Sequence, residues 1–180
     1  SAEKGIEGSR DLAFQLRDEK GYTLLNQFEN NDNWKAHYKT TGPEIWRDTN
    51  GKITHFVSAM GTTGTIMGVS TYLKEQNRNI TIVGAQPEDG AKIPGIRKWS
   101  PDYVPKFFDR SKVDKVIELS EKNAKEITKR IAKEEGVFAG MSSGGSVYSA
   151  LQIADSIEKG VIVAIICDRG DRYLSSDLFD

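Results

Sequence analysis

Residues 57–68 read VSAMGTTGTIMG, and this stretch decides the fold of the chain. An apolar run over 53–59 has the character of a buried strand, and a helical pattern over 65–76 follows the glycine and threonine loop at 61–65. Such a loop presents backbone N–H groups, threonine hydroxyls and the positive end of a helix dipole to a single phosphate. The pattern therefore predicts a strand–loop–helix unit with an anion-binding turn.

Two glycine-containing turns each leave an alternative open. The 61–65 loop lacks the spacing of a dinucleotide fingerprint and the lysine of a P-loop, but it also fits a plain strand–helix turn. The second turn, GMSSGG at 140–145, precedes a helical pattern. Its serines suit either an N-cap or a hydroxyl directed at a ligand beside the first loop.

The rest of the chain alternates between strand and helix patterns. Strands are predicted over 22–25, 53–59, 80–85, 113–119 and 161–167, and helices over 6–19, 34–38, 43–48, 65–76, 121–135 and 145–159, with Ser120 as an N-cap. This alternation predicts a single α/β domain over 1–180 with a parallel, doubly wound sheet flanked by helices. Ligands of such sheets bind beyond the carboxyl ends of the strands. The apolar residues over 87–112 show no clear helical or strand period, which indicates a functional or disordered loop.

Composition excludes several classes of function. The net charge of −1 gives no overall field that attracts nucleic acid or an anionic membrane. The longest aliphatic run, 161–166, is far shorter than the roughly 20 residues of a spanning helix. Cys167 is the only cysteine, so no internal disulfide forms and a reducing, cytoplasmic setting is expected. With His37 and His55 in unlike contexts, no metal site is predicted.

Single residues near these motifs allow two interpretations each. Cys167 ends a predicted buried strand, where an inert apolar thiol is common. Arg97 and Lys98 either attract an anionic substrate or form a solvated basic pair.

Together, the motifs resemble those of the cysteine synthases, which are pyridoxal-phosphate enzymes of fold type II, the tryptophan-synthase-β type. The motifs are YKTTGPEIW at 38–46, GTTGT at 61–65, GAQP at 84–87, IPGI at 93–96, SSG at 142–144 and DRYLS at 171–175. Cys167-Asp168 and the basic segment 97–99 resemble the B form of that family. Lys98 departs from the second arginine expected in that form, so a guanidinium-specific role at this position is in doubt.

The resemblance implies a role for each candidate site residue. The cofactor phosphate is expected on Gly61, Thr62, Thr63, Gly64 and Thr65. The pyridine nitrogen is expected at Ser142, whose neutral hydroxyl leaves that nitrogen largely unprotonated. Cys167 and Asp168 are expected to line the substrate pocket, and Arg97 to recruit an anionic sulfur donor at its mouth. The implied activity is formation of L-cysteine from O-acetylserine and sulfide or thiosulfate by β-replacement.

Two elements of the family are missing from the sequence. These are the lysine that forms the Schiff base and the loop that binds the substrate carboxylate, and in the family both precede the part matched here. The chain is therefore expected to be the C-terminal, large-domain portion of a homodimeric cytoplasmic enzyme, inactive alone and with an unpaired sheet edge. No catalytic residue is assigned within it. A noncovalent anion-binding module, a serine or threonine dehydratase and a cystathionine β-synthase remain alternatives.

Overall fold

The computed structural model describes residues 5–179, so residues 1–4 and 180 of the predicted domain lie outside the described part. The helices are α1 (Gly5–Lys20), α2 (Asp32–Lys39), α3 (Thr41–Asp48), α4 (Gly64–Gln76), α5 (Glu121–Glu135) and α6 (Met141–Ala154). The strands are β1 (His55–Ala59), β2 (Thr81–Pro87), β3 (Lys115–Leu119) and β4 (Ile162–Ala164). Short 3₁₀ turns occupy 101–103, 110–112, 170–173 and 177–179.

The four strands form one parallel sheet in the order β3-β2-β1-β4. β1 and β2 lie in the centre, and Phe56, Val57, Ile82 and Val83 are fully buried there. Unbroken burial of successive residues means that both faces of the sheet are covered, as in other parallel sheets.

Helices cover the two faces of the sheet. Phe56 and Ile82 belong to a core cluster with Ile66 of α4, whereas Val57 and Val83 pack with Ile153 of α6. α2 and α3 pack against α4, and α5 packs against α6. The predicted doubly wound α/β architecture is confirmed.

The ends of α5 are those that the sequence predicts. The Ser120 hydroxyl accepts a hydrogen bond from the Asn123 amide at 3.1 Å, and Gly136 ends the helix with φ +68°. A serine N-cap and a left-handed glycine satisfy backbone groups that a helix cannot pair internally.

The predicted strand at 22–25 is wrong. Tyr22 and Leu25 lie in a segment without regular secondary structure and are 61% and 78% exposed. Strand propensity is expressed only beside a partner strand, and none of the described strands adjoins this segment.

Several other boundaries also differ from prediction, because tertiary contacts override local pattern. α6 ends at Ala154 rather than 159, and β1 begins at His55 rather than 53. α6 begins at Met141 rather than 145, since its whole first turn is buried and the small residues there permit close packing. β4 ends at Ala164 rather than 167, and the Cys167 amide instead donates to the Ser143 hydroxyl at 2.9 Å.

The segment 87–112 is ordered against the sheet. Ile93 and Ile96 are 0% and 1% exposed and join the core cluster that contains Ala85 and Leu119. The Arg97 amide also donates to the Met60 carbonyl at 2.8 Å, which holds the segment beside the end of β1.

Candidate cofactor site

A cavity of about 240 Å³ lies beyond the carboxyl ends of β1 and β4. Its lining residues are Ala59, Gly61, Thr62, Thr63, Thr65, Gly95, Ser142, Cys167 and Asp168. Among the residues predicted for the site, the fold brings all but Gly64 and Arg97 into this one cavity, although they are separated by as much as 107 positions in the sequence (168 − 61).

The loop between β1 and α4 presents unpaired amides at the start of a helix. The Gly64 amide is turned back onto the Thr62 hydroxyl at 3.3 Å. The amides of Thr65 and Ile66 find no acceptor among residues 5–179, as expected for the first turn of a helix. These donors, with the dipole of α4 behind them, suit a phosphate.

Thr63 is unusual in two independent respects. It has a φ of +68°, a left-handed conformation that is rare for a β-branched residue. Its hydroxyl is buried and has no hydrogen-bond partner within the described chain. Strain and an unsatisfied polar atom each destabilise the fold, and they cluster at ligand sites.

Gly64 does not line the cavity but allows α2 to approach the loop. A Cβ atom at Gly64 would lie 1.9 Å from the Asn33 Oδ1 atom. The Asn33 amide group donates to the Thr62 hydroxyl at 3.2 Å and to the Gln27 carbonyl at 2.6 Å. Asn33 thereby ties the loop to the chain segment before α2.

His37 is a second residue of α2 that supports the loop. Its Nε2 lies 3.3 Å from the Thr65 hydroxyl and its Nδ1 lies 2.9 Å from the Thr41 hydroxyl. Burial lowers the pKa of His37, so the ring is neutral at pH 7.

The sequence did not identify Asn33 or His37 as site residues. One signal in the sequence was available, since Gly68 stands inside a helical pattern where glycine is unfavourable. A Cβ at Gly68 would lie 2.2 Å from the Trp34 carbonyl oxygen, so this glycine marks the point at which α2 crosses α4.

Ser142 is the second residue of α6 and is 3% exposed. The N-cap of α6 is Gly140, which has no side-chain cap, so the interpretation of these serines as an N-cap is wrong. Gly95 separates Ser142 from the loop: a Cβ at Gly95 would lie 3.0 Å from the Ser142 Cβ, and a Cβ at Gly61 would lie 2.8 Å from the Gly95 oxygen. Glycine at 61 and 95 therefore allows the backbone at Gly95 to pack closely between the loop and Ser142.

Cys167 and Asp168 form the wall of the cavity beside Ser142. Although Cys167 as a whole is exposed, the pKa of its thiol is raised. The main cause is loss of water around the sulfur; a hydrogen bond with Ser142 opposes it, and the charge of Asp168 adds to it. The thiol is thus kept protonated near neutral pH, and a protonated thiol is a poor nucleophile.

Arg97 lies outside this cavity. Its side chain lines a neighbouring cavity of about 400 Å³ together with Glu88, Asp89 and Lys92. Lys98 is occupied by ion pairs with Asp89 at 2.7 Å and with Glu118 at 2.8 Å. The role of Arg97 in recruiting an anion to the mouth of the site stays a prediction.

Other kinds of site find no support in residues 5–179. No lysine is among the residues that line the cavity of about 240 Å³. In this part of the chain, no three His, Cys, Asp or Glu side chains come together as metal ligands. Nor does any of its helices combine the length and apolar character needed to span a bilayer.

Comparison with known proteins gives the family. A profile described as "Pyridoxal-phosphate dependent enzyme" matches residues 2–168. The chain belongs to this family of pyridoxal-phosphate dependent enzymes. The 61–65 loop and Ser142 therefore lie within the part of the chain that matches a family of pyridoxal-phosphate dependent enzymes.

Within the pyridoxal-phosphate dependent enzymes, the chain is similar to bacterial cysteine synthases. It is 57% identical to cysteine synthase B of Pseudomonas aeruginosa over 180 residues, which cover all of this chain and 60% of that protein. It is 54% identical to cysteine synthase B of Escherichia coli over 177 residues, covering 98% of this chain and 58% of that protein. The chain thus spans about three fifths of the length of these relatives.

Solved structures show the same fold. Cysteine synthase from Entamoeba histolytica superposes with a TM-score of 0.89 at 34% identity, covering 98% of this chain and 55% of that one. O-ureido-L-serine synthase also superposes with a TM-score of 0.89 at 34% identity, covering 98% and 59% of the two chains. The large-domain fold predicted from the resemblance is confirmed.

Proposed function

We propose that the protein to which this chain belongs makes L-cysteine from O-acetylserine and sulfide or thiosulfate, with pyridoxal 5'-phosphate as cofactor. One observation carries the proposal: the GTTGT loop, Ser142, Cys167 and Asp168 line one cavity at the carboxyl ends of the strands. Similarity to two cysteine synthase B proteins at 54–57% identity supports the choice of reaction.

The residues present fit the cofactor. Thr63 keeps a buried hydroxyl without a partner, and the Thr65 and Ile66 amides lack acceptors within the described residues. A phosphate supplies acceptors for such donors and removes the cost of leaving them unsatisfied. Ser142 lines the same cavity as the loop, which supports its hydroxyl as the partner of the pyridine nitrogen.

In this proposal the chain binds and orients the cofactor. The cofactor, when bound, would supply the electron sink for β-replacement. The loop amides and threonine hydroxyls, with Gly64 setting the approach of α2, hold the phosphate. The neutral Ser142 hydroxyl meets the pyridine nitrogen. Cys167, kept protonated, and Asp168 line the substrate side without acting as nucleophiles.

We also propose that the chain by itself binds the anion but does not turn over substrate. No lysine lines the cavity among the described residues, whereas four of the five residues proposed to hold the phosphate do. A noncovalent anion-binding module is therefore the second candidate function, and it is the one that suits the 180-residue chain in isolation. Homodimer formation is proposed for the whole protein from the resemblance, and a cytoplasmic setting from the resemblance and from the one cysteine among these 180 residues.

Thermal unfolding of the 180-residue chain with inorganic phosphate tests whether the 61–65 loop binds an anion. Phosphate should raise the melting temperature, because a ligand that binds only the folded state stabilises it by mass action. Gly61→Pro and Thr65→Val should remove most of that increase, whereas Thr49→Val, at the end of α3, should retain it. An unchanged response in both loop variants would remove the loop from the proposal.

Two further measurements test the reaction. With pyridoxal 5'-phosphate, the dialysed chain should show no strong borohydride-reducible absorption band, and such a band would contradict the inactivity of the isolated chain. Rates of the whole protein with O-acetylserine, serine and threonine separate a cysteine synthase from a dehydratase or a cystathionine β-synthase. A preference for serine or threonine would overturn the proposed reaction.

A further inference from the structure

Arg10 of α1 lies against aromatic rings from two other segments of the chain. Its guanidinium carbon is 4.3 Å from the ring centre of Phe28, 5.6 Å from that of Trp99 and 5.4 Å from that of Tyr103. A planar guanidinium is attracted to aromatic faces by the cation–π interaction. Its Nη1 also donates a hydrogen bond to the Tyr103 carbonyl. Arg10 therefore joins α1 to the segment 99–103.

Two further side chains of α1 contact the same segment. Glu7 accepts a hydrogen bond from the Ser100 hydroxyl at 2.9 Å, and Asp11 accepts one from the Tyr103 hydroxyl at 2.8 Å. Positions 7, 10 and 11 share one face of a helix, because residues three and four apart are neighbours. No residue of α1 is buried. The attachment of α1 to the segment 99–103 therefore depends mainly on polar and cation–π contacts.

The position of Arg10 also has a cost. Its Nε atom is buried and has no acceptor among residues 5–179. A buried donor without a partner destabilises the fold, and such groups are rare enough in native proteins to call for an explanation. The contact of Arg10 with Trp99 supplies one, because Trp99 reaches the 61–65 loop.

The Trp99 indole connects Arg10 to the start of this loop. Its Nε1–H donates to the Gly61 carbonyl at 2.8 Å. Its ring also meets the Phe28 ring edge-on, with the ring centres 5.4 Å apart. Packed between a guanidinium and a second ring, the indole has little freedom to turn away from Gly61. Trp99 does not line the cavity of about 240 Å³, so it contacts that site through this hydrogen bond.

The bond from Trp99 sets the orientation of the peptide between Gly61 and Thr62. A trans peptide is planar and directs its C=O and N–H to opposite sides, and no cis peptide occurs in the described part of the chain. With the carbonyl turned to Trp99, the Thr62 amide faces the other way. That amide has no acceptor among the described residues, and Thr62 lines the cavity of about 240 Å³.

We propose that Arg10 is a positioning residue that holds the Trp99 indole on the Gly61 carbonyl and thereby keeps the Thr62 amide directed at an anion in the loop. The inference rests on the proposed function for the phosphate that the loop holds. Without this hold, the peptide can rotate and present its carbonyl oxygen, which carries partial negative charge, to the anion. A loop fixed before the anion arrives binds it more tightly, because less ordering accompanies binding.

The indole N–H resonance of Trp99 reports on this contact without any ligand. The chain has three tryptophans, and the Trp99→Phe variant identifies the signal in isotope-labelled protein. Arg10→Met retains a long side chain but removes the guanidinium. It should raise the solvent-exchange rate of the Trp99 N–H about tenfold, the effect of losing a desolvated cation–π contact. An unchanged exchange rate would overturn the inference.

Arg17→Met is the matched control on the same helix. Arg17 lies over the Phe14 ring at 4.8 Å, so its loss removes a similar contact within α1. This variant should leave the exchange rate of the Trp99 N–H unchanged. The indole N–H of Trp34, which is hydrogen-bonded beside α2, should respond to neither variant. Faster exchange of both indoles in Arg10→Met would indicate general loosening of the fold and contradict a specific role.

Titration calorimetry with inorganic phosphate measures the effect on the loop. Trp99→Phe should weaken phosphate binding about fivefold, which is the usual size of a neutral hydrogen bond. Arg10→Met should weaken it similarly, but should have no further effect in the Trp99→Phe background, because residues that act through one contact are not additive. Trp46→Phe, in α3 against the core cluster, is the control and should leave the affinity unchanged.

The outcomes distinguish this inference from the proposed function. If phosphate does not bind the wild-type chain, the proposed function loses its anion site, and the exchange rates still decide whether Arg10 holds Trp99. If phosphate binds the wild type, Arg10→Met and Trp99→Phe equally well, the proposed function stands and the positioning role is overturned. Equal effects of Arg10→Met with and without Trp99 would also overturn that role.

A second variant covers the case in which Arg10→Met does not fold. Tyr103→Phe removes only the hydrogen bond with Asp11 and retains the ring beside Arg10. It should raise the exchange rate of the Trp99 N–H in the same direction by a smaller factor. An unchanged rate would show that the attachment of α1 to the segment 99–103 does not hold Trp99 in place.

Discussion

At the scale of the residue, Thr63 carries the clearest sign of function. Its left-handed backbone and its buried hydroxyl, which has no partner among residues 5–179, both destabilise the free chain. Strain of this kind costs about 1–3 kcal/mol and persists where the surroundings or a ligand require it. This combination supports the proposed role of Thr63 in holding the phosphate.

Replacing Thr63 with glycine should separate stability from binding. Thr63→Gly should increase the free energy of unfolding of the ligand-free chain by about 1 kcal/mol, because glycine adopts positive φ without strain. The same change should reduce the rise in melting temperature caused by phosphate, since a hydroxyl donor is lost.

Urea unfolding with and without phosphate measures both effects of Thr63→Gly. Thr54→Gly, just before β1, is the control and should destabilise the chain, because glycine adds entropy to the unfolded state and removes the hydrogen bonds between the Thr54 hydroxyl and the Val161 backbone. A Thr63→Gly chain that is less stable than wild type without phosphate would contradict the strain argument.

His37 should make stability depend on pH. Burial lowers the pKa of the folded histidine below its unfolded value of about 6.5, so the unfolded chain binds more protons in that range. Its contribution to stability is thus complete above about pH 6.5 and is lost as the pH falls toward the folded pKa. His37→Gln, which stays neutral, should flatten the loss of stability between about pH 7 and 5.

Urea titrations at several pH values check the effect of His37→Gln. His55 also has a lowered pKa, from burial and from the charge of Lys115, and His55→Gln should remove a separate share of the acid sensitivity. A curve for His37→Gln that is as steep as that of the wild type would exclude His37 as a source of the pH dependence.

At the scale of the element, the contact between α2 and α4 shapes the loop. α4 begins at the loop and α2 supplies Asn33 and His37 to it, so the distance between these helices sets the positions of the threonine hydroxyls. Gly64 and Gly68 provide that close approach along one face of α4.

Gly68→Ala should destabilise the fold although alanine is the better helix former. The added Cβ would meet the Trp34 carbonyl at 2.2 Å, and backbone cannot yield without moving α2. We expect a loss of about 1–3 kcal/mol, the usual effect of overpacking, and a weaker phosphate response. Gln76→Ala, on the exposed end of the same helix, should change stability by less than about 0.5 kcal/mol.

Chemical denaturation of both α4 variants gives the comparison. Should Gly68→Ala prove as stable as the wild type, with an unchanged phosphate response, then the close approach of α2 would not be required for the loop.

At the scale of the whole molecule, the sheet has an open edge at β4. Within the described residues β4 pairs with β1 on one side only, and Val161 and Ile166 beside it are 37% and 47% exposed. Unpaired strand edges with apolar neighbours promote association between chains.

Lysines placed at this edge should reduce self-association of the chain. Val161→Lys with Ile166→Lys should lower the average mass measured by light scattering at high protein concentration, because charge on an edge opposes strand addition. Leu12→Lys, which removes an exposed apolar residue from α1, is the control and should have a smaller effect. Equal effects of the edge and control variants would assign the association to apolar surface in general.

The sequence by itself determined the class of fold and the position of the glycine–threonine loop between β1 and α4. Alternating periods of strand and helix, the Ser120 cap and the glycine–threonine run are local signals, since each depends on residues close together in the chain. Local signals also produced the errors: the apolar pattern at 22–25 suggested a strand, and the small residues at 141–144 suggested a turn.

Only the tertiary structure decided which distant residues meet. Support of the loop by Asn33 and His37, the early start of α6 and the contact of Arg10 with Trp99 all depend on packing between elements far apart in sequence. The position of Arg97 in a neighbouring cavity has the same origin. Burial and side-chain contact are properties of the assembled layers, so no local pattern carries them.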